Sequence, residues 1–579
     1  MIPQVLKPNA STTEFQSWQE QHTTEHRRLN GVTAGFPLTQ QTIGQISYPQ
    51  TQAEKTAGVM PTNFVYQPGD WRRYGADPTG AADSSTAIHN AGLANSVAFA
   101  YPGTYKVASN ITHTAPVVMY AGAVVTPSAS VTVTFAGTIQ AGPYQIFNIA
   151  ASGSFIQLPQ ELSTVPAEWW GAQAYPSSAV NCDVAINAAI TSLASTVAGA
   201  YGGTVTLERG DFFITNTIVM SDNIAIEGKG RYYTLIKNGA ATNGWAVGAT
   251  YPEMFRIYSA SGSPMNCPIR NMRIDGNADT SLTSIVYGPS WQEQSGFDGV
   301  FVSNFYTYGF FSDDAGSGAR GGAAQLTFKQ TQFSAASTSA GSCIRIVYDA
   351  TVGWLCINLI EVQCNGSSAF QSGLSGVNVG GTGSTNGRVI VNAVDYHAEQ
   401  LTQAVILDRQ ACLIGNSVKV DGSSTVTDVL YMQSTWTGFV RLLQCRKGGA
   451  TNYIADQSRS ITGWSAVETY DGSLIWPPSP TNALAAADVT GGATPVFGYN
   501  QGFASVTHTA TGEQTLTLTT TMDGSSTYDV IATSLDPVNA PIIGVSKSSG
   551  TVFIVYTYSP TGVAANAGEF SVKVYRRAT

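Results

Sequence analysis

Four nine-residue stretches decide the fold: LTFKQTQFS (326–334), LCINLIEVQ (355–363), VIVNAVDYH (389–397) and LIGNSVKVD (413–421). Each opens on an apolar residue, Leu326, Leu355, Val389 or Leu413. The fourth position is polar: Lys329, Asn358, Asn392, Asn416. Asn suits a bend, because it tolerates the left-handed conformation and hydrogen-bonds locally, and stacked Asn would form a ladder of side-chain amides. After that bend the sixth and eighth positions are expected to face inward: Thr331/Phe333, Ile360/Val362, Val394/Tyr396 and Val418/Val420. Strand alternation then turns the seventh and ninth outward. Those columns read Gln332, Glu361, Asp395, Lys419 and Ser334, Gln363, His397, Asp421. A short strand unit returning every ~20 to 35 residues is one coil of a solenoid. Coils stack ~4.7–4.9 Å apart, so Glu361 and Asp395 are expected as direct neighbours.

Two earlier segments fit the same scheme. GVFVSNFYTY (299–308) places Tyr306 and Tyr308 in the outward columns, and IRNMRIDG (269–276) places Arg273 and Asp275 there. Glu399 falls just past its strand, at a turn or rim. Trp354 and Trp436 flank these coils, and aromatic faces can stack on sugar rings.

Composition agrees with a strand-rich chain. Of 579 residues, 59 are Gly and only 11% are charged, well below the usual quarter. Strand formers are common, and runs at helical spacing are rare. The net charge of −9 comes without a Lys/Arg cluster, which argues against nucleic acid as a partner. The seven cysteines contain no CxxC, and their apolar neighbours read as reduced core residues. No apolar run approaches the ~18 residues of a membrane span, and the opening MIPQVLKPNASTTEF lacks a signal-peptide pattern. Synthesis in a cytoplasm follows as an expectation. There is no EF-hand loop and no G-x-S-x-G, so neither a metal nor a cofactor is expected.

Residues 1–65, polar and rich in Gln and Thr, read as an attachment arm. In 66–170, DWRRYGADPTGAADSSTAIHNAGLAN gives strand, turn and a short helix capped by Asp83 or Ser84, followed by VAFAYPGTYKV. The grammar returns in 171–475: AYPSSAVNCDVAINAAITSLA, with Asp183 as cap, then GGTVTLERGDFFITNTIVMSDNIAIEGKG. After the Pro-rich IWPPSPTNALAA, residues 476–579 alternate as an antiparallel β-sandwich would.

GADPTGAADSSTAIHNA, TVTLERGDFFI and VMSDNIAIEGKG resemble the opening of the pectate-lyase-like right-handed β-helix family, in which a short helix caps the solenoid. YQIF (144–147) and PAEWWGA (166–172) are similar to the linking phrase of bacteriophage tailspikes built on that fold. The second copy, QAYPSSAVNCD, lacks the Gly and first Asp of the usual motif. The resemblance covers about residues 70–460. It implies an all-β homotrimer: a right-handed parallel β-helix with short N-terminal capping helices and a C-terminal sandwich serving trimerisation or sugar binding. It also implies a place on the virion tail, the arm joined to other phage tail proteins, and a bacterial capsular polysaccharide as partner. The fold itself carries lyases, hydrolases and plain binders.

Two carboxylates on a rigid surface are what glycoside cleavage needs, one as proton donor and one ionised. Glu361 with Asp395, one coil apart, has the retaining spacing; Glu361 with Asp421, two coils apart, has the inverting one. His397 and Glu399 complete the candidate catalytic set. Tyr306, Tyr308, Gln332, Gln363, Lys419, Arg273, Asp275, Trp354 and Trp436 are the candidate substrate contacts. Proximity is expected to split the paired carboxyls' pKa values. Two rivals stay open. A polysaccharide lyase would use Tyr306, His397 or Lys419 beside a uronic acid; a receptor-binding spike would not catalyse at all.

Overall fold

The computed structural model describes residues 39–149, 152–159, 161–174, 180–194 and 202–239, and most of 245–576 outside the longer connecting loops. The chain divides into two compact units: Met1–Gly244 with Asn266–Arg273, and Trp245–Met265 with Ile274–Thr579. Parallel β-helix coils build both, right-handed as parallel crossovers are.

In the first unit, three three-stranded parallel sheets form the three walls of the opening coils. They join Thr79–Asp83, Gly103–Val107 and Ala123–Pro127; Ala98–Ala100, Val117–Met119 and Ile139–Gln140; Ile111–His113, Thr132–Phe135 and Phe155–Gln157. The expected helix spans Ser85–Ala94. Ser84 sits at its cap position without a side-chain cap bond, and the Asp83 carboxylate accepts from the Ser85 N–H at 3.0 Å. The second helix spans Asp183–Ala194. Here Asn181 accepts from the first helical N–H, while Asp183 reaches sideways to the Thr215 and Asn216 amides at 3.0 and 2.8 Å. The helix is thereby tied to the turn of the strand beneath it.

Residues 39–65, the described part of the expected arm, are bonded to the segment that follows. Arg73 is fully buried and spends five N–H donors on five acceptors. Two are the oxygens of buried Glu54, at 2.7 and 3.1 Å; three are the carbonyls of Tyr48, Tyr66 and Pro49. Tyr74 donates to the same Glu54 at 2.7 Å, and Glu54 closes a capping box with Thr51. Burial pushes the Glu54 carboxyl up, but the bonds from Arg73, Thr51 and Tyr74 outweigh it and hold it below the usual range.

Aromatic rings fill the same unit from coil to coil, Trp71 against Tyr105 at 5.2 Å and Phe135 against Phe147 at 5.7 Å. His113 lies buried among them. Its Nε2 is 3.3 Å from the Trp71 indole N–H, a donor only, and its Nδ1 is 3.0 Å from the Ala115 carbonyl, an acceptor only. These partners fix the neutral Nδ1–H tautomer, and burial pushes the pKa down to about 4. The unfolded chain binds the proton more readily, so this contribution is whole above about 6.5 and lost as pH falls towards 4. It is worth on the order of 3 kcal/mol. We expect denaturation midpoints to drop across that window, and to drop less in His113→Gln. An unchanged slope in the variant would assign the acid sensitivity to other groups.

In the second unit each coil supplies a strand to one long sheet of eighteen strands, turns a corner, continues in that sheet as a short second strand or as the same strand, and then supplies a strand to a second, nine-stranded sheet that runs to Asn452–Asp456. The corner residue is left-handed in successive coils: Gly299, Gln330, Glu361, Asp395, Ser417 and Gln444. This column, one to three residues beyond the expected Asn positions, is where the chain bends. Leu355 pairs with Val389 as the sequence alignment has it, and Asn392 donates to Asn358 at 3.1 Å. The outer two coils slip by two residues. Leu326 pairs with Ile357, and Leu413 with Val391. Lys329 and Asn416 therefore stand beside Ile360 and Val394, outside the amide ladder.

A two-residue slip keeps every side chain on its face. Phe333, Val362, Tyr396, Val418 and Val420 are buried accordingly. Ile360 and Val394 are not core: they precede the left-handed corner, whose reversal leaves Val394 43% exposed. Five of the six described cysteines are buried, and all six are free thiols. Past the coils stand two four-stranded antiparallel sheets. One joins Val496–Gln501, Ala485–Thr490, Glu569–Arg576 and Tyr528–Ser534; the other joins Phe503–Ala510, Glu513–Leu518, Val552–Tyr558 and Ile542–Lys547.

Candidate functional site

The corner gathers the charged residues. Glu361 and Asp395 occupy the left-handed position of successive coils, and the Glu361 N–H donates to the Val394 carbonyl at 2.9 Å. Both side chains are exposed. In this conformation the backbone turns outward and carries the carboxylates with it. Asp tolerates the position better than Glu, because its short side chain bonds locally. On one flank, Gln330 donates to Glu361 at 3.0 Å. On the other, the Lys419 ammonium stands 3.4 Å from Asp395. A hydrogen bond from Ser417, and then Lys419 against a small burial penalty, holds the Asp395 carboxyl below the usual range. Asp395 is thus held ionised, and proximity to Glu361 does not raise it.

Past the corner a second column runs parallel to the first. Phe301 pairs with Gln332, Gln332 with Gln363, Gln363 with His397, His397 with Lys419 and Lys419 with Arg446. The slip thus moves Lys419 beside His397, where the sequence alignment set it beside Asp395, and the long side chain still reaches back to that carboxylate. Glu399, half-buried two residues on, lies 3.3 Å from the His397 Nε2. The result is a surface of carboxylates at the corner beside a rung of amides and cations.

Other expectations change. Tyr308 opens the strand Tyr308–Asp313 of the nine-stranded sheet and stacks on Phe311, away from this face. Tyr306 is half-buried in the turn before it. Asp275 is buried and accepts from the Asn277 amide and the Asn304 side chain at 2.8 Å each, a turn-forming role rather than a sugar contact. Arg273 begins the short strand Arg273–Asp275 and is half-buried. Trp436 is buried and donates to the Ala411 carbonyl at 2.7 Å, so its face is not open to a sugar. Trp354 opens the strand Trp354–Ile360, its backbone paired with Arg388. Asp421 lies outside the described residues. Sequence reasoning missed Gln330, Ser417 and Arg446, which the true register brings to the patch.

No family model matches this chain, and no curated protein does. Similar solved structures include phage tailspikes. The tailspike of E. coli bacteriophage HK620 is 10% identical, covers 87% of this chain and 91% of its own, and has a TM-score of 0.31. The Dettilon tailspike is 12% identical over 72% of this chain and 94% of its own, TM-score 0.31. The Streptococcus pneumoniae surface protein and adhesin PfbA is 12% identical over 68% of this chain and 99% of its own, TM-score 0.31.

Proposed function

We propose that this chain is a tailspike-like β-helical protein that binds a bacterial surface polysaccharide and cuts it internally by glycoside hydrolysis. The observation that carries this reading is the stacking of Glu361 and Asp395 on successive coils, with Asp395 held ionised by Ser417 and Lys419. Asp395 serves as nucleophile and Glu361 as proton donor; one-coil spacing matches the ~5 Å of a retaining pair. Gln332, Gln363 and His397 on neighbouring rungs offer polar contacts to successive sugar units of an extended chain. In this reading residues 1–65 attach the protein to a phage tail, 66–170 open the β-helix, 171–475 carry the site, and 476–579 support a homotrimer or bind sugar.

The column His397, Lys419, Arg446 favours a second reading. Cations on adjacent rungs suit a uronate carboxylate, the group that a β-eliminating lyase must neutralise. Products decide between them. Purified capsule incubated with the protein is expected to gain reducing ends without the ultraviolet absorbance of a new C=C bond. Absorbance rising with the reducing ends would establish the lyase. Binding with neither change would leave a non-catalytic spike.

A further inference from the structure

A second site lies in the first unit, independent of the Glu361 patch and of the reading built on it. The turn Pro143–Gln145, the segment Glu168–Ala174 and Glu208 enclose a cleft of about 440 Å³. Glu168 is at its wall and only 7% exposed. One carboxyl oxygen accepts from the Glu208 N–H at 2.9 Å. The other, Oε2, is buried with no partner in the protein. An orphaned carboxyl oxygen normally costs about 1–3 kcal/mol, a cost that a polar partner entering the cleft would relieve.

The rest of the lining describes that partner. Glu208 stands beside Glu168 with its carboxylate half exposed and 3.2 Å from the Lys229 ammonium. Lys229 already balances Glu208, which disfavours a cation as occupant. An anion would meet two carboxyls. Burial pushes the Glu168 carboxyl up, and the neighbouring Glu208 carboxylate adds to that rise; a carboxyl in the acid form donates as well as accepts. Gln145 donates to the Phe147 carbonyl at 3.1 Å, leaving its amide oxygen as a further acceptor, and the Tyr144 ring adds an apolar wall. Gly171 matters too. It is left-handed, and a Cβ there would come within 2.9 Å of the Gln145 amide. A bare backbone keeps that side open.

We propose that this cleft binds one neutral, polyhydroxylated unit, a sugar residue, whose hydroxyls meet Glu168 at the wall and the Glu208 carboxylate. Saturation-transfer NMR on the full chain tests this with galactose, glucose and N-acetylglucosamine, and with glucuronate as anionic control. The expected result is transfer to at least one neutral sugar, weaker transfer to glucuronate, and affinity about tenfold lower in Glu208→Gln, the loss of a hydrogen bond to a charged group; Glu168→Gln keeps a donor and an acceptor and is expected to bind nearly as well. The Asp395→Asn variant is expected to bind unchanged. Glu208 is half exposed, so its substitution leaves the fold intact and decides the matter even where Glu168→Gln destabilises. Absence of transfer to every sugar, or transfer that Glu208→Gln leaves intact, or transfer lost with Asp395→Asn, would overturn the proposal.

Discussion

Asp395→Asn and Glu361→Gln should each slow polysaccharide cleavage by ~100-fold or more, a loss typical of removing a catalytic acid or base, with the melting temperature unchanged. Both side chains are exposed at a corner whose backbone bonds do not involve them, so the fold has little to lose. Asn keeps the left-handed preference of Asp, and Gln330 already occupies the Glu361 position one coil back. The pH profile gives a finer reading. Ser417 and Lys419 hold Asp395 below the usual carboxylate range, so the working carboxylate is fully formed at neutral pH and is lost only as acid protonates it. Lys419→Met removes one of those supports. The acid limb of the rate should then shift to higher pH, since the Asp395 pKa rises towards its ordinary value. A limb that stays put while the rate falls would make Lys419 a sugar contact rather than a support for Asp395. Undiminished cleavage in both carboxylate variants would reduce the corner column to solvated scaffold.

How much of this was legible beforehand follows from the arithmetic of strands. Alternation specifies a face but not a register, because a slip of two residues preserves it. Phe333, Val362, Tyr396 and Val418 were therefore placed inside correctly, while Leu326 and Leu413 were aligned two residues away from their true partners. The missing datum was the corner. Asn is the residue type expected there, yet Gln330, Glu361, Asp395 and Ser417 take the left-handed position, and their identities do not announce it. Glu361 and Asp395 came out as neighbours because their two coils happen to align without a slip. Lys419 did not keep its column, and Ser417 and Arg446 entered unforeseen. Trp436 failed for a different reason: a tryptophan next to a strand has the same sequence signature whether it faces sugar or backs the next coil, and only its bond to Ala411 tells them apart. The Glu168 cleft was invisible because its parts lie about forty residues apart, Glu168 in the linking phrase and Glu208 in the motif TVTLERGDFFI.

The largest loss of stability is expected at Arg73. Arg73→Met keeps the volume of the stem and leaves Glu54 buried with no cation, and breaking such a pair costs about 3–5 kcal/mol. Three backbone carbonyls, of Tyr48, Pro49 and Tyr66, lose their donors as well. They belong to the segment that closes over the first coil, so the damage should be local: Lys55, exposed on the helix Gln52–Thr56, becomes a site of rapid tryptic cleavage before the rest of the chain unfolds. Pairing Arg73→Met with Glu54→Gln removes the stranded charge and should recover part of the loss, the coupling expected of groups in one network. Acid offers the same test without mutation. The Glu54 carboxyl lies below its usual value in the folded chain, so its contribution is complete above about 4.5 and disappears as the pH falls through that lowered value. Pepsin, which works in acid, should cut the segment before Arg73 faster over that range in the native protein, with little change in the double variant. If Arg73→Met resists trypsin as well as the native chain does, the five bonds of Arg73 are not what fastens this segment.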